Sequence, residues 1–291
     1  MLSQLNPSQT NGQVNEDILG NIRIPPCPEV VLVLVEAARQ PDADFAKLVK
    51  LISGDVGLAA AMLKTANSPF FAMRNKVSSV HQAVLVLGLK NLTQIVRGLA
   101  LQEALGAGKV SMERFWERAN FTAVAASRMA TRLGTVSSED AYTLGLFHDC
   151  GIPILIQKFP DYKEKLAASN KFAELVIVIE DQHYTINHAV VGNTLARNWS
   201  LPDHINQAIL LHHDHSIFTQ PSESIAPEVC ALVAITLVAE HIAATFLGKP
   251  DDAEWNVCGQ MAQDYLGIDS KDIEDIIKLT FDEMEEILTY R

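Results

Sequence analysis

Apolar side chains recur along most of the chain with a helical period. In Phe45–Ile52 the positions Phe45, Leu48, Val49 and Ile52 fall at i, i+3, i+4 and i+7, one face of a helix. The stretch Asp55–Ala66 is rich in Ala, Leu and Met, all strong helix formers. Ser79 stands three residues before Gln82 and leads into Ala83–Leu87, the pattern of a capping box, and Ser137–Asp140 offers a similar start. Gly88 and Gly134 stand where helices should stop. One segment breaks the period: Val30–Val35 is an unbroken run of Val and Leu. Pro28 before it and Glu36–Gln40 after it favour a helix that begins near Pro28. An isolated strand there would have no partner. The pattern predicts an all-α protein with roughly a dozen helices.

Two glycines in Gly106-Ala107-Gly108-Lys109 follow a helix expected over Leu89–Leu105. They divide the chain into two packed helical subdomains, residues 16–108 and 109–291, after a polar tail at 1–15 that is expected to be disordered. The tail lacks the basic start and apolar stretch of a secretory signal. Ser216–Pro227 reads as a surface loop. The longest uncharged apolar run, Val229–Ala239, has eleven residues. A bilayer span needs ~20, so no membrane segment is expected.

The net charge of −12 argues against a nucleic-acid partner, which needs clustered Lys and Arg. From Asp251 to Arg291 there are twelve acidic and three basic side chains, so this end carries −9 of the −12, expected as a solvated face of the last helices. Cys27, Cys150, Cys230 and Cys258 show no C-x-x-C spacing, and free thiols in a reducing cytoplasm fit them.

Eight of the nine histidines lie between His148 and His241. In the helix expected after Pro202, His212 shares a face with Ile205, Ala208 and Ile209. In the helix expected over Thr185–Trp199, His188 shares one with Val191, Leu195 and Trp199, and His148 follows Leu144 in the helix from Asp140. Three imidazoles thus turn inward from three helices, with Asp149 beside one of them. Buried carboxylates need a partner, and imidazole with carboxylate suits Zn, Fe, Ni or Mn. A metal site and a set of hydrogen-bonded core histidines both satisfy this pattern.

Gly145-Leu146-Phe147-His148-Asp149-Cys150-Gly151 resembles the His-Asp doublet of the HD phosphohydrolases. Asn187–Gly192, Trp199-Ser200-Leu201-Pro202 and His212-His213 follow in order, and Ile24–Pro28, Ile52–Leu58, Lys64–Phe71, Val77–Val80 and Leu87-Gly88-Leu89 precede it. As a set, over residues 20 to 245, they are similar to the HDOD subgroup, degenerate relatives of the HD and HD-GYP metal-dependent phosphohydrolases. The resemblance implies an HD-like second subdomain and a divalent transition metal (Fe, Mn, Zn or Ni). It implies His148, Asp149, His188 and His212 as ligands of one position, with His213 and Glu240 completing a second. No organic cofactor is implied.

Three departures from the phosphohydrolase pattern stand out. No His occurs near Arg118–Asn120, where the first-helix ligand belongs; Ile152 replaces the HD-GYP Lys; and Asp214-His215-Ser216 replaces Gly-Tyr-Pro. Asp214 and His215 read as solvated helix-end residues. The expectation is therefore a bacterial cytoplasmic regulatory module that signals through a protein partner. The alternative is a metal-dependent phosphohydrolase acting on a nucleotide or cyclic dinucleotide. A scaffold with satisfied core histidines is a third class. No receiver, cyclase or DNA-binding segment is recognisable in these residues, so input is expected through a partner or the tail. Phe70 and Phe71 are expected to pack inward and anchor their loop.

Overall fold

The computed structural model describes residues 21–40, 42–71, 76–106, 111–172, 175–219, 224–249 and 253–289. The tail and most of the Gly106–Lys109 boundary lie outside them, as does the middle of the Ser216–Pro227 loop. The helices are α1 (Glu29–Ala38), α2 (Phe45–Ser53), α3 (Val56–Ala66), α4 (Val80–Gly106), α5 (Glu113–Leu133), α6 (Ser138–Phe147) and α7 (Gly151–Lys158). They continue as α8 (Tyr162–Phe172), α9 (Val176–Tyr184), α10 (His188–Asn198), α11 (Asp203–Leu211), α12 (Pro227–Phe246), α13 (Ala253–Leu266) and α14 (Ser270–Thr289). No strand occurs among the described residues, so the all-α reading holds.

Local chemistry sets most boundaries. Pro28 precedes α1, and Val31 and Leu34 of the Val/Leu run are fully buried. Asp44, Asp55, Ser137 and Asn187 each accept a backbone N–H from the first turn of the helix they cap. The box at α4 is offset by one residue: Ser79 Oγ accepts from Gln82 N, while Gln82 Oε1 accepts from Ser78 N. At Gly88 the backbone turns to φ 72° and ψ 169°, a conformation that L side chains rarely adopt, and α4 kinks there. Gly134 closes α5 as expected. The helix expected over Thr185–Trp199 begins later, at His188, because Asn187 caps it.

The first subdomain packs α1, α2 and α3 on α4. The far half of α4 reaches the second subdomain, where Gln94 Nε2 donates to Glu139 O at 2.8 Å. A second tie comes from the chain ahead of α1, whose Pro25 O accepts from Nε1 of the buried Trp199 at 3.1 Å. In the second subdomain α5 and α12 lie side by side, flanked by α6, α13 and α14. Both α4 and α12 are long and apolar enough to cross a membrane by composition. The most apolar window of α12 is 83 % buried inside the protein and that of α4 56 %, which suits core helices.

Two expectations hold only in part. The acidic end is not simply solvated: Glu283 makes a two-pronged pair with Arg128 of α5, and Asp272 pairs with Arg132 at 2.9 Å. Phe70 and Phe71 are only half-buried. Asn67 makes the staple instead. Its side chain donates to Leu63 O and Val77 O and accepts from Val77 N, closing the loop between α3 and α4. Phe70 rests on Tyr142 beneath the Arg128 guanidinium, and both Phe rings line a cleft of about 270 Å³ between the subdomains. Phe71 still packs on the core. Phe71→Ala should therefore cost about 1.5–2 kcal/mol, below the 3–5 kcal/mol of a fully buried ring, read as a shift in urea midpoint at unchanged slope.

Candidate metal centre

His148, His188 and His212 are 1 %, 1 % and 4 % exposed, as the shared apolar faces predict. The loop from α6 to α7 carries His148 and Asp149, and it approaches α10 at Gly151. A Cβ on Gly151 would stand 2.1 Å from His188 O and 2.9 Å from Gly192 N. These are backbone atoms that cannot step aside. Gly151→Ala should cost about 3 kcal/mol, the upper end of overpacking, and should displace Asp149 from His188, seen as a lower melting temperature and weaker metal retention.

Two clusters meet at Asp149. In the first, His188 Nε2 lies 3.2 Å from His212 Nε2 and 2.9 Å from His213 Nε2. Asp149 Oδ1 is 3.3 Å from His188 Nε2 and 3.6 Å from His212 Nε2. In the second, His148 Nε2 is 3.3 Å from Asp149 Oδ2 and 3.3 Å from Glu240 Oε1. This redistributes the ligands expected from the sequence. His213 joins His188 and His212, and His148 goes with Glu240. The reason is the end of α11. The helix stops at Leu211, and the turn that follows lets the adjacent His212 and His213 face the same point, which consecutive helical residues cannot do.

The ring orientations are fixed from behind. His188 Nδ1 donates to Glu180 Oε2 at 2.7 Å, His213 Nδ1 to Glu254 Oε1 at 2.5 Å and His212 Nδ1 to Ile209 O at 2.6 Å. His148 Nδ1 donates to Gly145 O at 2.9 Å. A proton on each Nδ1 leaves each Nε2 lone pair facing inward, the arrangement that carboxylate or carbonyl partners impose on metal-binding histidines. Glu180 is itself buried and also accepts from the Tyr162 hydroxyl and from His188 N.

The donor set of the first cluster fits a metal ion. Bonds of ~2.0–2.1 Å to tetrahedral Zn place neighbouring ligand atoms about 3.3–3.4 Å apart. The four separations above, 2.9 to 3.6 Å, bracket that edge. Bound there, a divalent ion would supply Lewis acidity and an activated water.

Without metal, charge is held by protons. Burial disfavours a charged His188, but Glu180 and Asp149 outweigh it and raise its pKa to about 10. Burial, helped by His213, lowers that of His212 to about 4. Burial works against an ionised Asp149 too, yet His148 and the hydrogen bonds from the other imidazoles hold it well below the usual carboxylate range.

The sequence alone does not point to Glu180 or Glu254, nor to the pairing of Arg118 with Glu240. Arg118 Nη2 lies 2.7 Å from Glu240 Oε1, on the stretch of α5 where a first-helix ligand was sought. His215 is buried, not solvated, and pairs with Glu254 at 3.1 Å, while Asp214 caps the short 3₁₀ turn His215–Phe218.

Residues 24–215 match the HDOD domain family model, about two thirds of the chain. The chain belongs to the HDOD family. A solved HDOD domain protein of unknown function from Geobacter sulfurreducens superposes with a TM-score of 0.70 at 22 % identity, covering 92 % of this chain and 94 % of that one. A Shewanella amazonensis SB2B protein named as a candidate phosphohydrolase gives 0.70 at 21 % identity, with 95 % and 97 % covered. A candidate signal transduction protein from Marinobacter aquaeolei VT8 gives 0.71 at 24 %, with 95 % and 65 % covered. At these identities the likeness is one of fold. An uncharacterised protein of Treponema pallidum (strain Nichols) is 29 % identical over 195 residues. That alignment is 66 % of this HDOD chain and 38 % of the relative, so the chain spans well under half of that protein.

Proposed function

We propose that this HDOD protein is a regulatory module that holds a divalent transition metal and acts through contacts with a protein partner, with slow or no phosphodiester turnover. The observation that carries the metal is the convergence of three Nε2 atoms and Asp149 Oδ1, each ring backed by a carboxylate or carbonyl. The observation that argues against efficient turnover is the replacement of two groups of the phosphohydrolase pattern, a Lys and a first-helix His. Ile152 stands in place of a Lys, and the first-helix position carries Arg118, already paired with Glu240. One lost electrostatic contact typically costs ~3–4 kcal/mol, about 10²–10³ in rate. Buried free thiols at Cys150, Cys230 and Cys258 suit a reducing, bacterial-type cytoplasm.

One observation favours a phosphohydrolase instead. Arg118 is 42 % exposed beside the centre, where a guanidinium suits the phosphate of a nucleotide or cyclic dinucleotide. Elemental analysis of the purified protein, with assays of cyclic dinucleotides and nucleoside monophosphates in Mn²⁺ or Fe²⁺, separates the readings. Bound metal with negligible turnover is the expected result. Robust turnover abolished by Asp149→Ala would establish the enzyme. No metal after reconstitution would leave a scaffold with satisfied histidines.

A further inference from the structure

We propose that Arg118 acts as the fixed cation of the second cluster, so that the centre takes one metal ion, on Asp149, His188, His212 and His213, and not two. The inference rests on the metal reading above and concerns how many ions the site accepts.

By donor chemistry the second cluster is a metal position. His148 Nε2, Asp149 Oδ2 and Glu240 Oε1 lie within 4.8 Å of one another, and Asp149 would bridge the two positions through its two oxygens. His148 Nε2 is buried between the carboxylates without hydrogen-bond geometry to either. What separates this position from the first is the group on its outer side. Arg118 Nη2 contacts Glu240 Oε1 at 2.7 Å, and that is the same oxygen that faces His148.

A guanidinium is always charged and has no lone pair, so Arg118 cannot join a coordination shell. A divalent ion in the second position would compete with Arg118 for Glu240 Oε1 and sit beside a permanent positive charge. Among the described residues the first position faces no such group: its outer partners, Glu180 and Glu254, are acidic and favour a cation. Asp149 is thus left to the one metal and Glu240 to the arginine. Packing keeps Arg118 there. It lies in the second turn of α5, just before Ala119 and Phe121, which are buried against the core.

The test counts ions. The full chain and its variants are stripped of metal, loaded with Mn²⁺, freed of excess and measured for Mn per chain. Electron paramagnetic resonance then reports whether two Mn²⁺ ions share a bridging carboxylate. The wild type should hold one ion with an uncoupled spectrum, and Arg118→Lys, which keeps the charge, should do the same. Arg118→Gln should bind a second ion at least tenfold more tightly than the wild type. Arg118→His, which offers a ligand in place of a charge, should fill both positions and show spin coupling. Melting curves of each variant confirm folding, and the Lys variant controls for damage to α5. Two coupled ions in the wild type would overturn this inference alone, as would Gln and His variants that stay at one ion. No ion in any of the four proteins would overturn both this inference and the metal reading beneath it.

Discussion

Replacing Glu180 by Ala is expected to destabilise the metal-free protein by about 3–5 kcal/mol, the range for removing one partner of a buried charged pair. Glu180 is buried in α9, and three donors converge on it: His188 Nδ1–H, His188 N–H and the Tyr162 hydroxyl. Alanine leaves all three donors buried and without this acceptor. Glu180→Gln retains acceptor capacity but loses the charge, so a smaller loss is expected. Urea unfolding of the stripped proteins measures both, and a loss below about 1 kcal/mol for the Ala variant would contradict the account.

The same pair sets a pH profile. The pKa of His188 is raised from 6.5 to about 10. Its contribution is therefore fully present below pH 6.5 and is lost as pH rises through about 10. Glu180 shifts the other way. Burial alone would raise its pKa, but His188 and the hydrogen bonds around it lower it below 4.5. Its contribution is present above pH 4.5 and is lost as pH falls through the lower, folded value. The metal-free protein should lose stability on both sides of a window between pH 4.5 and 6.5 as far as this pair is concerned.

Metal affinity should run in the opposite direction on the alkaline side. An ion bound in the first cluster would take His188 Nε2, and below about pH 10 that nitrogen carries a proton that must leave first. Affinity should rise about tenfold per pH unit between pH 7 and 9, one proton being released per ion bound. Calorimetry in buffers of different ionisation enthalpy counts that proton directly; affinity independent of pH over this range would refute the assignment of His188 as a ligand. Outer partners of metal ligands are worth about 10–100-fold in affinity. Glu254→Ala should fall in that interval, and Asp149→Ala, which removes a donor, should exceed it.

Helical class and the inward histidines could be read in the sequence because both rest on local periodicity. The faces that hold Ile205, Ala208 and Ile209 or Val191 and Leu195 carry His212 and His188 inward with them. The grouping of ligands was not legible, because it depends on where α11 ends. A helix continued by one more residue would have swung His213 away from His212. Glu180 and Glu254 were invisible for a different reason. A carboxylate in an amphipathic stretch looks like a solvent-facing residue, and only the tertiary packing of α9 and α13 shows that these two turn inward. The stretch Arg118–Asn120 stands out in the sequence only for lacking a His, and the pairing of Arg118 with Glu240 spans 122 positions of chain, farther than any spacing rule reaches.

The HDOD match ends at residue 215, but the chemistry does not. Glu240 and Glu254 come from α12 and α13, downstream of the match, and α12 is the buried helix beside α5. A recombinant piece cut at the family boundary would keep His148, Asp149, His188, His212 and His213. It would lose the acid that orients His213, the acid that faces His148 and Arg118, and the apolar wall behind them. Failure of such a piece to retain metal would say nothing about the intact protein. In comparisons among relatives, the downstream helices are the place to ask whether the acidic backing has been kept, moved or replaced, even where the histidine motifs look the same.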